Sequence, residues 1–262
     1  PAAPPDASSK TATGYSLDDA FNLTRRGGVY VYVPEIDVQI FIGDDLRATT
    51  SRFERDVLIK NLEAKNYLVL VSHEDFWPWA KFVDVEKGEV AARFPLLVPK
   101  VMEFKALLKN SADYISAAKL FVAASASSPT GSLATLTISP VLAGNGPLLS
   151  DNLKIFAEGS NVHAEWLGAT STAPYYFCEE RAICEKTITV WNGSSKIETL
   201  DFYPGRDDAI MLSFDNGIYA LEVDTSTYHN VYPIFRGKDP DFRIEGQTVY
   251  VKDGDYIATA EI

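Results

Sequence analysis

Ile210-Met211-Leu212-Ser213-Phe214, Asp215-Asn216-Gly217, Ile218-Tyr219-Ala220-Leu221-Glu222-Val223: two apolar runs flank a turn. Asn-Gly between such runs is the strongest short-range hairpin signal, because both residues tolerate the positive φ of a type I′ turn. Working outward, turn signals recur at Asp224-Thr225-Ser226, Gly237, Glu245-Gly246 and Asp253-Gly254-Asp255. Turns at such short, even spacing imply many short antiparallel strands, hence a sandwich, barrel or propeller. Leu153–Ala157 and Val162–Trp166, around Glu158-Gly159-Ser160-Asn161, repeat the plan, as do Thr248–Lys252 and Tyr256–Thr259. The interval between the last two turns is near the length of a propeller blade. The interval before them fits one blade plus an insertion carrying Cys178 and Cys184.

Upstream, strands are expected at Val29–Val33, Val38–Ile42, Val57–Ile59, Tyr67–Val71, Phe82–Val85 and Val90–Val98, the last interrupted by Pro95. That number of strands suffices for a small β-sandwich. Between the two strand-rich regions Phe104, Leu107, Leu108, Ala112 and Ile115 fall near helical spacing. Ala124–Gly131 is rich in Ser, Ala, Pro and Gly and reads as a loop. Pro1–Thr13 reads as a tether, and Ser16 could cap a single helical turn before Gly27-Gly28. The fold class is therefore all-β. The expected domains are a flexible tether (1–27), a β-sandwich (28–102), a partly helical linker (103–132) and a propeller-like β domain (133–262).

Composition narrows the function. The net charge is −12 and no basic run stands out, which argues against nucleic acid and anionic lipid surfaces as partners. No apolar run is long enough to span a membrane. The tether is expected to join a membrane-anchored segment of a longer protein. Cys178 and Cys184 are the only cysteines. They lack metal-site spacing, and a disulfide closing a short loop is their expected use, implying an extracytoplasmic compartment. His73, His163 and His229 are scattered, so no metal or cofactor is expected. There is no Gly-x-Ser-x-Gly elbow and no phosphate loop. The acidic pairs Asp44-Asp45, Glu179-Glu180 and Asp207-Asp208 sit where neighbouring side chains diverge, as turn residues do, so no catalytic residues are assigned. Asp253-Gly254-Asp255 lacks the ligand spacing of a calcium loop. Phe76-Trp77-Pro78-Trp79 is the candidate binding platform, with Phe76, Trp77 and Trp79 as its rings. The alternative for these rings is packing into the sandwich core.

Two resemblances add to this. Residues 28–100 resemble the PEGA domain, a small bacterial sandwich module. The match runs through Pro34-Glu35, Val38-x-Ile40-x-Ile42-Gly43, Ile59-Lys60-Asn61-Leu62, Tyr67–Val71, Phe76–Trp79, Val83-Asp84-Val85 and Gly88-Glu89. The naming tetrad is here Pro34-Glu35-Ile36-Asp37. Residues 148–262 resemble the last blades of TolB-like β-propellers, through Asn161–Trp166, Pro174–Cys178, Phe202–Asp208, Asn216–Tyr219 and Pro240–Ile244. They hold about three blades where a closed ring needs four. The resemblances imply a non-catalytic module of the bacterial cell surface or periplasm that binds envelope protein or glycan. The alternatives are an envelope hydrolase using acidic residues and a structural spacer.

Overall fold

The computed structural model describes residues 26–123, 146–169, 172–179 and 183–262. The expected tether and capped turn before residue 26, the loop at 124–131 and Glu180 lie outside the described residues. The chain forms two compact units. Of the described residues, those from 26 to 101 together with Ser226–Asn230 make the first, and those from 102 to 225 together with Val231–Ile262 make the second.

The first unit is a sandwich of seven strands, β1 (Gly27–Tyr32), β2 (Gln39–Ile42), β3 (Asp45–Thr49), β4 (Asp56–Leu62), β5 (Asn66–Ser72), β6 (Trp79–Asp84) and β7 (Val90–Arg93). One sheet has the order β4-β1-β7 and the other β3-β2-β5-β6. Period-2 alternation explains the layering. Val29 and Val31 turn inward from β1, Val57 and Ile59 from β4, and Ile40, Val69, Val71 and Val83 from the facing sheet. β1 runs antiparallel to β4 and parallel to β7. A bulge opposite Gly27–Val29, where Asn61 takes a φ of 62°, ends the regular ladder. β3 lies in a stretch where only a turn is expected from sequence.

Ser226–Asn230 completes this unit along the outer edge of β6. The Asn230 side chain donates to the Ala80 carbonyl at 3.3 Å and accepts the Ala80 N–H at 3.5 Å, as a neighbouring strand would. Phe82 N–H donates to Thr227 Oγ1 at 3.1 Å, and buried Lys81 donates through Nζ to the Ser226 carbonyl at 3.1 Å. Tyr228 stacks on Phe82. An edge strand with unpaired backbone groups invites wrong pairing, and this strap covers it.

The second unit holds three four-stranded antiparallel sheets. In the first, β9 (Leu148–Ser150), β10 (Leu153–Glu158) and β11 (Asn161–Trp166) are joined by β14 (Thr187–Asn192). A small hairpin, β12 (Cys178–Glu179) and β13 (Ile183–Cys184), interrupts that sheet between β11 and β14. The second sheet follows chain order: β15 (Thr199–Phe202), β16 (Ala209–Phe214), β17 (Gly217–Glu222) and β18 (Val231–Arg236). In the third, β19 (Asp241–Glu245), β20 (Thr248–Asp253) and β21 (Tyr256–Glu261) are joined by β8 (Lys105–Ala106) from the start of the unit. Among the described residues these sheets close no ring.

All six residues of β16 are buried. Ile210, Leu212 and Phe214 pack with Leu153, Ile155, Val162 and Val190 of the first sheet. Ala209, Met211 and Ser213 alternate onto the other face and have no exposed surface. On the third sheet the helix α1 (Ala112–Ala123) packs Ala117 and Phe121 against Ile257. The Phe121 ring lies 5.0 Å from the Arg243 guanidinium and 5.8 Å from Lys252 Nζ.

The stretch expected as a linker thus belongs, up to residue 123, to the second unit. The helix also starts later than the spacing of Phe104, Leu107 and Leu108 suggests. Lys105–Ala106 is spent as a strand on β21, and Leu107 N–H donates to the Ile257 carbonyl. Ser111, a poor residue inside a helix, is its N-cap, accepting the Tyr114 N–H at 3.1 Å. Ile115, expected on the apolar face, is exposed.

The Asn-Gly hairpin forms, with Asp215 and Asn216 as its loop, but Gly217 is not at positive φ. Its requirement is steric, since a Cβ there would sit 2.7 Å from the Phe235 carbonyl oxygen. Gly254 is the opposite case, with a φ of 59° and nothing within 4 Å of a Cβ. Gly254→Ala should therefore cost about 1–2 kcal/mol, the price of a left-handed residue. Gly217→Ala should cost about 1–3 kcal/mol through strand displacement. Gly254→Asn should recover most of the loss and Gly217→Asn none, as read by urea unfolding.

Half-buried Asp201 on β15 accepts the Phe202 N–H at 2.8 Å. Burial pushes its carboxyl up to about 6, against the pull of that N–H and of Arg243. The folded state therefore holds a proton that the unfolded chain has released above its ordinary value of 3.8. Stability falls as pH rises through the window from about 4 to 6, and the loss is complete above it. Asp201→Asn should be more stable at pH 7 by about 1–3 kcal/mol and should lose this pH dependence in denaturant titrations.

Candidate functional site

The strand Val29-Tyr30-Val31-Tyr32 sends its valines into the core, so its tyrosines face out from the three-stranded sheet. Register fixes their neighbours. Tyr30 lies between Leu58 of β4 and Ala92 of β7, and Tyr32 lies beside Asp56. Phe94, the residue after Arg93, is 6.4 Å from the Tyr30 ring and 6.5 Å from the Tyr32 ring, inclined at 66° and 52°. Gly28, paired with Val90, comes next on β1 but is buried, and a Cβ there would sit 2.8 Å from the Ile59 carbonyl oxygen. The outer face is thus a grid. Asp56, Tyr32 and Phe94 form one row, Leu58, Tyr30 and Ala92 the next, and half-buried Val90 stands beyond Ala92 in the third. Lys60 lies in the bulge beyond Leu58.

Neighbouring strands are about 4.8 Å apart and successive outward residues about 6.7 Å, so the grid measures about 10 by 13 Å. Leu58 is exposed at 39%, and both tyrosines and Phe94 keep part of their surface in water. Burial, then the Asp56 carboxylate and Tyr32, raise the Tyr30 hydroxyl above its ordinary value. It stays protonated at neutral pH, able to donate and to accept. The face offers aromatic edges, aliphatic surface, two phenol hydroxyls and a carboxylate. It holds neither a nucleophile next to a base nor a ligand cluster.

The rings singled out from sequence fare differently. Trp79 begins β6, points inward and is 2% exposed, part of the sandwich core. Strand alternation decides this, and it removes Trp79 as a platform. Phe76 is half-buried edge-on to His73 at 5.3 Å. Trp77 is half-buried, and its backbone N–H donates to the Val98 carbonyl. The three rings therefore make no common surface. The face that does combine aromatic rings was written in the alternation of Val29–Val33, where tyrosine occupies every outward position.

Asp45, Asp207 and Asp208 have partners of their own. Asp208 binds Arg206 through two contacts of 2.6 and 2.8 Å, and Asp207 accepts from Ser150 Oγ at 3.1 Å. Asp45 pairs with Arg47, and Asp255 of the Asp253-Gly254-Asp255 turn pairs with Lys109. Glu179 ends β12. His73 Nδ1 accepts the Asp75 N–H, and His163 Nδ1 lies 3.3 Å from Thr189 Oγ1. Among the described residues no group of three or more His, Cys, Asp or Glu could hold a metal ion. Cys178 and Cys184 face each other across the β12–β13 hairpin and are joined by a disulfide. No helix among the described residues is long and apolar enough to cross a membrane.

No family model matches the chain, and no curated protein matches it. Among solved structures, a Bacteroides fragilis protein of unknown function, provisionally described as membrane-associated, is similar over 81% of this chain and 100% of its own. The identity is 11% and the TM-score 0.22. A likeness at that level fixes neither fold nor function.

Trp79→Ala should lower the stability of the sandwich by about 3–5 kcal/mol, the cost of emptying a packed indole site. A melt unchanged by this substitution would contradict its burial.

Proposed function

We propose that this chain is a non-catalytic binding or assembly module of the bacterial cell envelope, recognising a protein or a glycan. The observation that carries this reading is the Tyr30–Tyr32–Phe94 face. A sheet covered on its inner side by a valine core turns its aromatic rings outward, where they contribute nothing to that core. Half-exposed aromatics held on or next to a rigid strand are suited to recognition, because little side-chain freedom is lost on binding. The disulfide supports an extracytoplasmic location, since such bonds persist in oxidising compartments. On this reading the first unit is a PEGA-like sandwich. The second is an incomplete propeller-like stack, its three sheets taken as blades and its terminal sheet covered by α1.

The immobilised protein should retain component from the cell envelope of its source organism. Tyr30→Ala should weaken that retention about 10-fold or more, as for an aromatic anchor worth about 1–3 kcal/mol. The circular dichroism spectrum should not change. Turnover of a peptide or glycan that is lost on Asp207→Asn or Asp208→Asn would overturn the non-catalytic reading.

A further inference from the structure

Resting on the reading of the Tyr30–Tyr32–Phe94 face as a binding surface, we infer that its ligand is a short, neutral stretch of glycan, one or two pyranose rings long. Size is the first argument. A stable protein partner covers on the order of 800 Å² per side, whereas a face of about 10 by 13 Å offers only a small fraction of that. A pyranose ring is about 5 Å across, so one or two rings fill the grid.

Relief is the second argument. Ala92 is the smallest side chain of the grid, and it lies across the strands from Tyr30. With only a methyl group at Ala92, a low shelf lies beside the Tyr30 ring, and its end is closed by Phe94, which packs edge-on to Tyr30 at 6.4 Å. A flat ring with C–H groups on its faces fits against such a shelf. A helix, with side chains projecting all round, does not.

Chemistry is the third argument. A sugar presents polarised C–H groups on its faces and hydroxyls around its rim. C–H groups pack on aromatic carbon, which carries negative charge on its face. The rim hydroxyls need partners that both donate and accept, and the Tyr30 and Tyr32 phenols do both. The Asp56 carboxylate, beside Tyr32, accepts from a pair of hydroxyls. Asp56 at one end and Lys60 at the other leave the grid without net charge, so it selects neither an acidic nor a basic ligand.

The test is a titration of the full chain with chitotetraose, cellotetraose and maltotetraose, followed by NMR of the aromatic side chains. At least one of the three should shift the Tyr30, Tyr32 and Phe94 ring signals saturably. Tyr30→Ala should weaken that ligand 10-fold or more. Tyr32→Phe, which removes only a hydroxyl, should weaken it by several-fold with the ring contacts kept. Shifts confined to other aromatic residues would overturn the site. Tighter binding of polygalacturonate than of all three neutral probes would overturn the neutral class. If no probe shifts these rings while Tyr30→Ala still abolishes retention of envelope protein, the glycan is wrong and the binding module stands. If neither effect appears, both fall.

Discussion

A strand has two faces, and in β16 both are closed to water. Six consecutive buried residues form no amphipathic strand, so the second sheet needs cover above and below. The first sheet supplies one side through Ile155 and Val162. On the other, Thr199 of β15 hydrogen-bonds to Asp241 of β19, which ties the second sheet to the third. The third sheet then needs cover of its own on its far side, and α1 provides it with Ala117 and Phe121. The layering of this unit therefore follows from one continuous apolar segment. A polar residue at Met211 or Leu212 would strand a buried hydrogen-bonding group without a partner, which costs more than the lost packing alone.

Much of the sheet structure was legible because it rests on local rules. Turn residues and alternation marked the Asp215–Gly217, Gly159 and Gly254 hairpins, and each forms. What sequence could not show is pairing over long separations. Lys105–Ala106 is too short to carry a pattern of its own. It becomes a strand only because β21 has an edge to fill. The helix was misplaced because apolar spacing was read through residues already committed to that edge. The physical start signal was the Ser111 hydroxyl.

The site was legible for the same reason and overlooked for another. Tryptophans next to proline draw attention as unusual composition, whereas tyrosines alternating with valine look like an ordinary strand. Alternation assigns Trp79 to the interior and Tyr30 and Tyr32 to the exterior once the inner face of each strand is known. What alternation cannot supply is Phe94. It joins the two tyrosines only because β7 lies parallel to β1, a relation with no local signature.

The strap at Ser226–Asn230 bears on how the chain is made. Its hydrogen bonds to β6 span 145 to 150 residues. A ribosome delivers the seven strands of the sandwich long before Thr227 and Asn230 emerge. During that interval β6 lacks its cover, and its backbone groups are open to any extended segment nearby. The first unit is in this sense both the first to be synthesised and among the last to be finished. Synthesis at about 5–20 residues per second makes that interval several seconds to half a minute. For that interval the β6 edge is open to the wrong pairing that unpaired strands invite.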